Sequence, residues 1–167
     1  AVTEKYQVPM VAAHAATSAI YERGFKYLFA TLTALDQYTE NMIKMAADAK
    51  PRAQRVALLG ENALFPQAGM AAAERQAKAA GLEVVYKEAY PTGTKDFSAM
   101  LSAMKTRNPD LLLSAGYTGD MIVVARQTAE QGVNLKMIGF LLGPTLPGFV
   151  DALGSKAEYL LEPIQWS

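Results

Sequence analysis

Short apolar runs without polar alternation recur along the chain, separated by longer stretches with helical spacing. The sharpest run is Leu111, Leu112 and Leu113, entered through Pro109 and Asp110 and left through Gly116 and Gly119. Continuous apolarity of this length is the pattern of a strand buried on both faces. Residues 121–131 then follow helical spacing. A parallel strand thus ends, the chain turns, and Tyr117 is left at the carboxyl edge of a sheet, where open α/β folds bind their ligands.

Comparable units lie on either side. Further strands are predicted over 7–13, 25–31, 55–60, 83–90, 136–142 and 157–164. A short helical stretch reaches Arg23 and is stopped by Gly24. A longer helix is predicted over 34–49, with Tyr38, Met42, Met45 and Ala49 on one face and Lys50 and Pro51 ending it. Another spans 67–80 and is closed by Gly81 in the place of a C-cap glycine. Phe97, Met100, Leu101 and Met104 fall at i, i+3, i+4 and i+7 after Asp96, a plausible N-cap. A last short helix is predicted over 147–153, beyond the break at Gly143 and Pro144.

Strands alternating with helices at short connections predict βαβ units. The fold class is therefore α/β: a three-layer sandwich with a doubly wound, mainly parallel sheet. The one candidate boundary lies at 31–36, where two strands precede a long helix and a self-sufficient array.

Composition narrows the function classes. At 167 residues the chain is large enough for one hydrophobic core, and its 16 Lys+Arg balance its 16 Asp+Glu. No basic stripe points to nucleic acid, and no apolar run reaches the length of a membrane span. The absence of cysteine removes disulfide frameworks, thiolate metal sites and cysteine nucleophiles. His14 is the only histidine and no serine sits in Gly-x-Ser-x-Gly, so neither a catalytic triad nor a multi-histidine metal site is expected.

Other constellations are weak. Gly116, Tyr117, Thr118 and Gly119 follow a strand and open a helix, but they lack dinucleotide spacing and a P-loop lysine. A tight turn with Thr118 as N-cap is the simpler reading. Glu61, Glu74, Asp96, Asp120 and Glu130 read mostly as helix-start or solvated carboxylates. No nucleophile, base or cofactor loop is in view, so the chain is expected to be no enzyme and to need no cofactor. Phe65, Tyr117, Leu141 and Leu142 follow strand ends that share one sheet edge, and together they could line a concave surface.

Four stretches carry a resemblance: residues 12–18 with 22–25; 55–59; 89–98, which include Pro91, Thr92, Gly93, Thr94, Lys95, Asp96 and Phe97; and 108–117, a Pro-Asp strand ending in Gly116 and Tyr117. In order and content the chain is similar to type I periplasmic solute-binding proteins of ABC transporters, of the branched-chain amino-acid type. The resemblance covers essentially the whole chain but only the middle of a family member. It implies two lobes around a cleft: residues 1–34 would be the end of the first lobe and a hinge crossing, 35–164 the second lobe, and 165–167 the return crossing. Targeting information would lie outside this stretch.

The resemblance also implies a site. The loop matching Ala15 and Thr17 would hold a ligand carboxylate through backbone groups and the threonine hydroxyl. Tyr117 matches a tyrosine at the cleft edge, and Phe65 falls where the family often has another aromatic. Leu141 departs from the pattern, because amino-acid binders place an acid after this strand for the ligand ammonium. No carboxylate occurs between residues 131 and 150. A buried ammonium without a counter-charge costs several kcal/mol. The expected ligand is therefore a small carboxylate with an apolar or aromatic body, and the expected partner is the membrane permease of an ABC transporter. The expected location is periplasmic or extracellular. A sensory domain of the same fold is the alternative, ahead of a branched-chain amino-acid binder and then a small α/β enzyme. A lobe taken alone would expose its cleft and hinge faces to self-association.

Overall fold

Five strands form the main sheet, and all of them run parallel. In chain order they are β3 (Arg55–Glu61), β4 (Glu83–Tyr90), β5 (Leu111–Ala115), β6 (Met137–Phe140) and β7 (Leu160–Leu161). Across the sheet the order is β4-β3-β5-β6-β7. A separate two-stranded parallel sheet pairs β1 (Met10–Ala12) with β2 (Leu28–Ala30), Met10 opposite Leu28 and Ala12 opposite Ala30. The computed structural model describes residues 2–13, 15–16 and 18–164.

Alternation along the central strands distributes two cores. Val56, Leu58, Leu111, Leu113 and Leu141 pack with helices α3 (Glu40–Asp48) and α4 (Leu64–Ala79). Ala57, Leu59, Leu112 and Phe140 face the other way, toward α5 (Ser98–Lys105), α6 (Thr118–Glu130) and α7 (Pro147–Leu153). Every residue of β5 is buried. Layers of helix, sheet and helix result, as the apolar runs predict.

The chain leaves β3 for the neighbour on one side, β4, and then returns past β3 to β5 on the other. Connections to the two sides lie on opposite faces, so the carboxyl ends of β3 and β5 flank the switch point at which open sheets leave a crevice.

At the amino end of the same strands, Asp110 joins three of them. Its carboxylate accepts the amides of Gln54 (2.7 Å) and Arg55 (3.1 Å) and pairs with the Lys136 ammonium at 2.9 Å. Its own amide donates to the Arg55 carbonyl, and its carbonyl accepts from Lys136. Burial opposes ionisation of Asp110, but the Lys136 bond and the two amides outweigh it and hold the carboxyl below the usual range.

Element limits differ from the sequence expectation in ways that geometry explains. Strands predicted over 7–13 and 25–31 shorten to three residues each, the length over which the two pair with one another. A helix not expected from the sequence, α1 (Val2–Tyr6), precedes them; Glu4 accepts the Tyr27 amide at 2.7 Å and ties it to β2. The helix predicted over 34–49 divides into a 3-10 turn, Leu35–Gln37, and α3. The tighter turn shifts the phase, so Met42, Ile43 and Ala46 face the core while Met45 is 54 % exposed and Ala49 is exposed. Helix α4 begins three residues before the predicted start, because Pro66 falls in its first turn, where no amide hydrogen is needed. Strands predicted over 136–142 and 157–164 contract to β6 and β7, and a 3-10 turn, Gly154–Ala157, takes up part of the latter.

Two caps also differ. Phe97 occupies the cap position of α5, with the Asp96 carboxylate accepting the Ser98 amide at 2.9 Å from one residue further out. Tyr117, not Thr118, caps α6, and it does so without a side-chain bond. Gly81 closes α4 as predicted, with φ of 71°, while Leu82 donates to the Ala77 carbonyl at 2.8 Å.

Replacing Asp110 tests the amino-end clamp. A carboxyl depressed in the folded state contributes stability above its unfolded pKa and loses it as pH falls through the folded value. Urea unfolding of the parent chain should therefore weaken as pH drops below about 4. Asp110→Asn keeps an amide acceptor but loses the charge; it should cost about 1 kcal/mol near neutrality and flatten this pH slope. Leu113→Ala, in the doubly buried strand, should cost about 2–5 kcal/mol in the same measurement.

Candidate functional site

A cavity of about 320 Å³ opens at the switch point, lined by Ala16, Leu32, Tyr38, Phe65, Tyr117 and Leu142. The six lining residues come from five connections. Ala16 lies between β1 and α2 (Ser18–Glu22), and Leu32 and Tyr38 flank the 3-10 turn that enters the main sheet. Phe65 stands in the first turn of α4 after β3, Tyr117 caps α6 after β5, and Leu142 follows β6. Strand ends of the main sheet supply Phe65, Tyr117 and Leu142, the exits of the two-stranded sheet supply Ala16 and Leu32, and the entry to α3 supplies Tyr38, so residues spread over more than a hundred positions meet.

Aromatic rings form a row across the cavity. Tyr38 and Phe65 meet edge-on at 6.4 Å between centroids, with planes at 75°. Phe65 and Tyr117 follow at 6.3 Å, tilted by 31°. Separations of this size are those of attractive aromatic pairs. Tyr38 is buried, and that burial, with Tyr21 as a smaller influence, raises its hydroxyl above the ordinary phenol range. It stays a neutral donor at physiological pH. Tyr117 is 51 % exposed, so its ring offers an open apolar face at the rim.

Every residue lining this cavity is uncharged. An adjoining groove of about 390 Å³ shares Tyr38 and adds Gln37, Asn41, Met45 and Glu162, whose carboxylate accepts the Thr145 amide at 2.7 Å. A larger groove of about 500 Å³ lies between α3 and α4, away from the strand ends.

The residues expected at the site fall out unevenly. Phe65 and Tyr117 are brought together as the sequence suggests. Ala15 does not line the cavity; its neighbour Ala16 does. Thr17 and His14 lie outside the described residues, as do residues 165–167. Leu141 turns into the core on the α4 side, so close to Gly69 that a Cβ there would meet its Cδ2 at 2.4 Å. Leu142 takes the wall position instead, because successive residues leaving a strand point to opposite faces. Tyr38 and Leu32 were not foreseen at the site, since the helix predicted over 34–49 placed Tyr38 on a helical face. The break at Leu35–Gln37 redirects it.

Two acids also depart from expectation. Glu61 is only 3 % exposed, at the end of β3 on the face of α5 and α6, and Asp120 is half-buried. The Tyr90 hydroxyl donates to Asp120 at 3.3 Å. Burial raises the Asp120 carboxyl, and Glu61 beside it raises it further. The Tyr90 hydroxyl is likewise pushed up, by burial first and then by Asp120 and Glu61. Gly116 makes room for this group, since a Cβ there would sit 2.2 Å from the Tyr90 hydroxyl. These are not solvated carboxylates, and neither lines the aromatic cavity. Among the described residues no group of three potential metal ligands occurs. No described helix is long and apolar enough to cross a membrane.

Known proteins share both sequence and architecture with this chain. The Leu/Ile/Val-binding protein homolog 8 of Brucella abortus (strain 2308) is 27% identical over 165 residues, covering 92% of this chain and 40% of the relative. A leucine binding protein from Thermotoga maritima superposes with a TM-score of 0.88 at 22% identity, covering 99% of this chain and 47% of that one. An ABC transporter solute binding protein from Rhodopseudomonas palustris BisB5, solved with 3,4-dihydroxy benzoic acid, gives 0.68 at 26% identity, covering 83% and 38%. The chain thus spans about 40% of the length of its curated relative. The family described as Periplasmic binding protein matches residues 1–166, and with the doubly wound parallel sheet and its switch-point crevice already in place, this chain belongs to that family.

Proposed function

We propose that the chain is the second-lobe part of a periplasmic or extracellular solute-binding component of an ABC transporter, and that its ligand is a small carboxylate with an apolar or aromatic body. Residues 1–34 end the first lobe and make a hinge crossing, 35–164 form the second lobe, and 165–167 begin the return. The first-lobe loop with Ala15 and Thr17 grips the carboxylate. Phe65, Tyr117 and Leu142 close over the body, with Leu141 supporting the wall from behind. Binding energy then favours the closed state, which a membrane permease reads. No step in this cycle makes or breaks a covalent bond, so the protein is a binder and not an enzyme.

The observation that carries the reading is the uncharged aromatic wall at the switch point. An α-amino group placed there would be stripped of water without a counter-charge. Asp120 accepts the Tyr90 hydroxyl, Glu61 lies buried beside Asp120 on the α5 and α6 face, neither lines the cavity, and Glu162 accepts the Thr145 amide. The Rhodopseudomonas palustris protein solved with a dihydroxybenzoic acid supports an aromatic acid. The Brucella name points instead to aliphatic amino acids. The two differ in whether the ammonium is needed.

Titration calorimetry on protein carrying both lobes separates them. Benzoate and 3,4-dihydroxybenzoate should bind saturably, and Phe65→Ala or Tyr117→Ala should each weaken them about tenfold, or about 1.4 kcal/mol. Tight binding of leucine that disappears with 4-methylpentanoate, the same skeleton without the amino group, would sink the proposal. Residues 1–167 alone offer one wall of the cleft and should bind these acids weakly or not at all. Met10, Val11 and Phe29 are exposed on the two-stranded sheet. Sedimentation velocity of residues 1–167 should therefore show self-association that grows with concentration.

A further inference from the structure

Asp36 lies in the 3-10 turn that leads from the two-stranded sheet into the main one, and α2 and α4 converge on it. Its Oδ2 accepts from the Ser18 hydroxyl at 2.8 Å, and its Oδ1 pairs with the Arg75 guanidinium at 2.7 Å. Ser18 opens α2, immediately beyond the loop that contains Ala15 and Ala16, and Arg75 belongs to α4. The Asp36 carbonyl accepts from the Gln76 side-chain amide, and the oxygen of that amide takes the hydroxyl of fully buried Thr39 at 2.5 Å. One residue earlier, the buried Leu35 donates its amide to the Ala16 carbonyl at 2.7 Å. Gln76 and Thr39 thus fix the turn to α4 in a buried layer, and the Asp36 carboxylate carries the loop and α2 on top of it.

We infer that Asp36 is a positioning residue for the ligand-holding loop: through Ser18 it ties the start of α2, which follows Ala15 and Ala16, to the turn that packs on α4. The inference rests on the reading of that loop as the carboxylate grip. The two bonds to the carboxylate are unequal. The Arg75 pair is solvent-exposed, with side chains 65% and 45% accessible, and such pairs contribute little. The Ser18 bond is partly buried and charge-assisted, which makes it the stronger tie. Holding a loop in its binding conformation before the ligand arrives removes an ordering cost from binding.

Amide hydrogen exchange in the 167-residue chain tests the tie without a ligand. Asp36→Ala should speed exchange of the Leu35 amide and of residues 18–22 at least about tenfold. Protection of Leu58 and Leu112 should hold. Ser18→Ala should reproduce most of the effect, and the double variant should add little to either single change. Asp36→Asn, which keeps one oxygen for Ser18, should restore protection, while Arg75→Ala should change exchange less than about fivefold. Unchanged exchange in both Asp36→Ala and Ser18→Ala would overturn the inference, and so would an increase spread evenly over β3 and β5. In two-lobed protein, Asp36→Ala should weaken 3,4-dihydroxybenzoate about tenfold and Asp36→Asn should recover it. Unchanged affinity beside faster exchange would also overturn the positioning role. If no aromatic acid binds the parent protein, the ligand reading fails while the exchange result still decides whether the loop is tied.

Discussion

A strand hidden on both faces constrains everything around it. Each residue of β5 is buried, so none of its backbone groups can turn to water and all must enter ladders with β3 and β6. Its side chains then need an apolar layer on each side, supplied by α3 and α4 below and by α5, α6 and α7 above. Parallel neighbours force long crossovers, and crossovers of one hand place helices on opposite faces when the chain changes direction across the sheet. The crevice at the ends of β3 and β5 is a by-product of that change of direction. The cavity exists because the core does.

Much of the fold was legible because burial on two faces leaves so plain a mark. Leu111, Leu112 and Leu113 need no alignment to be read as a central strand, and Gly81 announces the end of α4. Edge elements were harder to read. The apolar content of 25–31 and 157–164 suggested strands of seven or eight residues, whereas the ladders to β1 and β6 run over only three and two. Sequence reports what a segment could bury, and pairing depends on what lies beside it.

Legibility of the site followed the same division. Phe65 and Tyr117 could be placed because they follow recognisable strand ends. Tyr38 could not, since its position depends on where a 3-10 turn gives way to an α-helix, and residues 34–49 carry no glycine or proline to mark the change. Leu141 and Leu142 show how fine the limit is: one residue of register decides which leucine packs on Gly69 and which meets the cavity. Glu61 and Asp120 were unreadable for another reason. A carboxylate at a strand end or in a first helical turn has the same sequence signature whether it is solvated or enclosed. The Tyr90 hydroxyl, given room by Gly116, meets Asp120, and Glu61 is buried beside it at the end of β3.

Asp110 and Tyr117 flank opposite ends of one strand, seven residues apart. The clamp at one end ties three strands through groups that do not line the cavity, while the other end carries only loops and caps. Inheritance can therefore act on the two separately. Residues at the rim are free to drift toward new guests without loosening the base, which is how one scaffold comes to serve relatives named for aliphatic amino acids and others solved with aromatic acids.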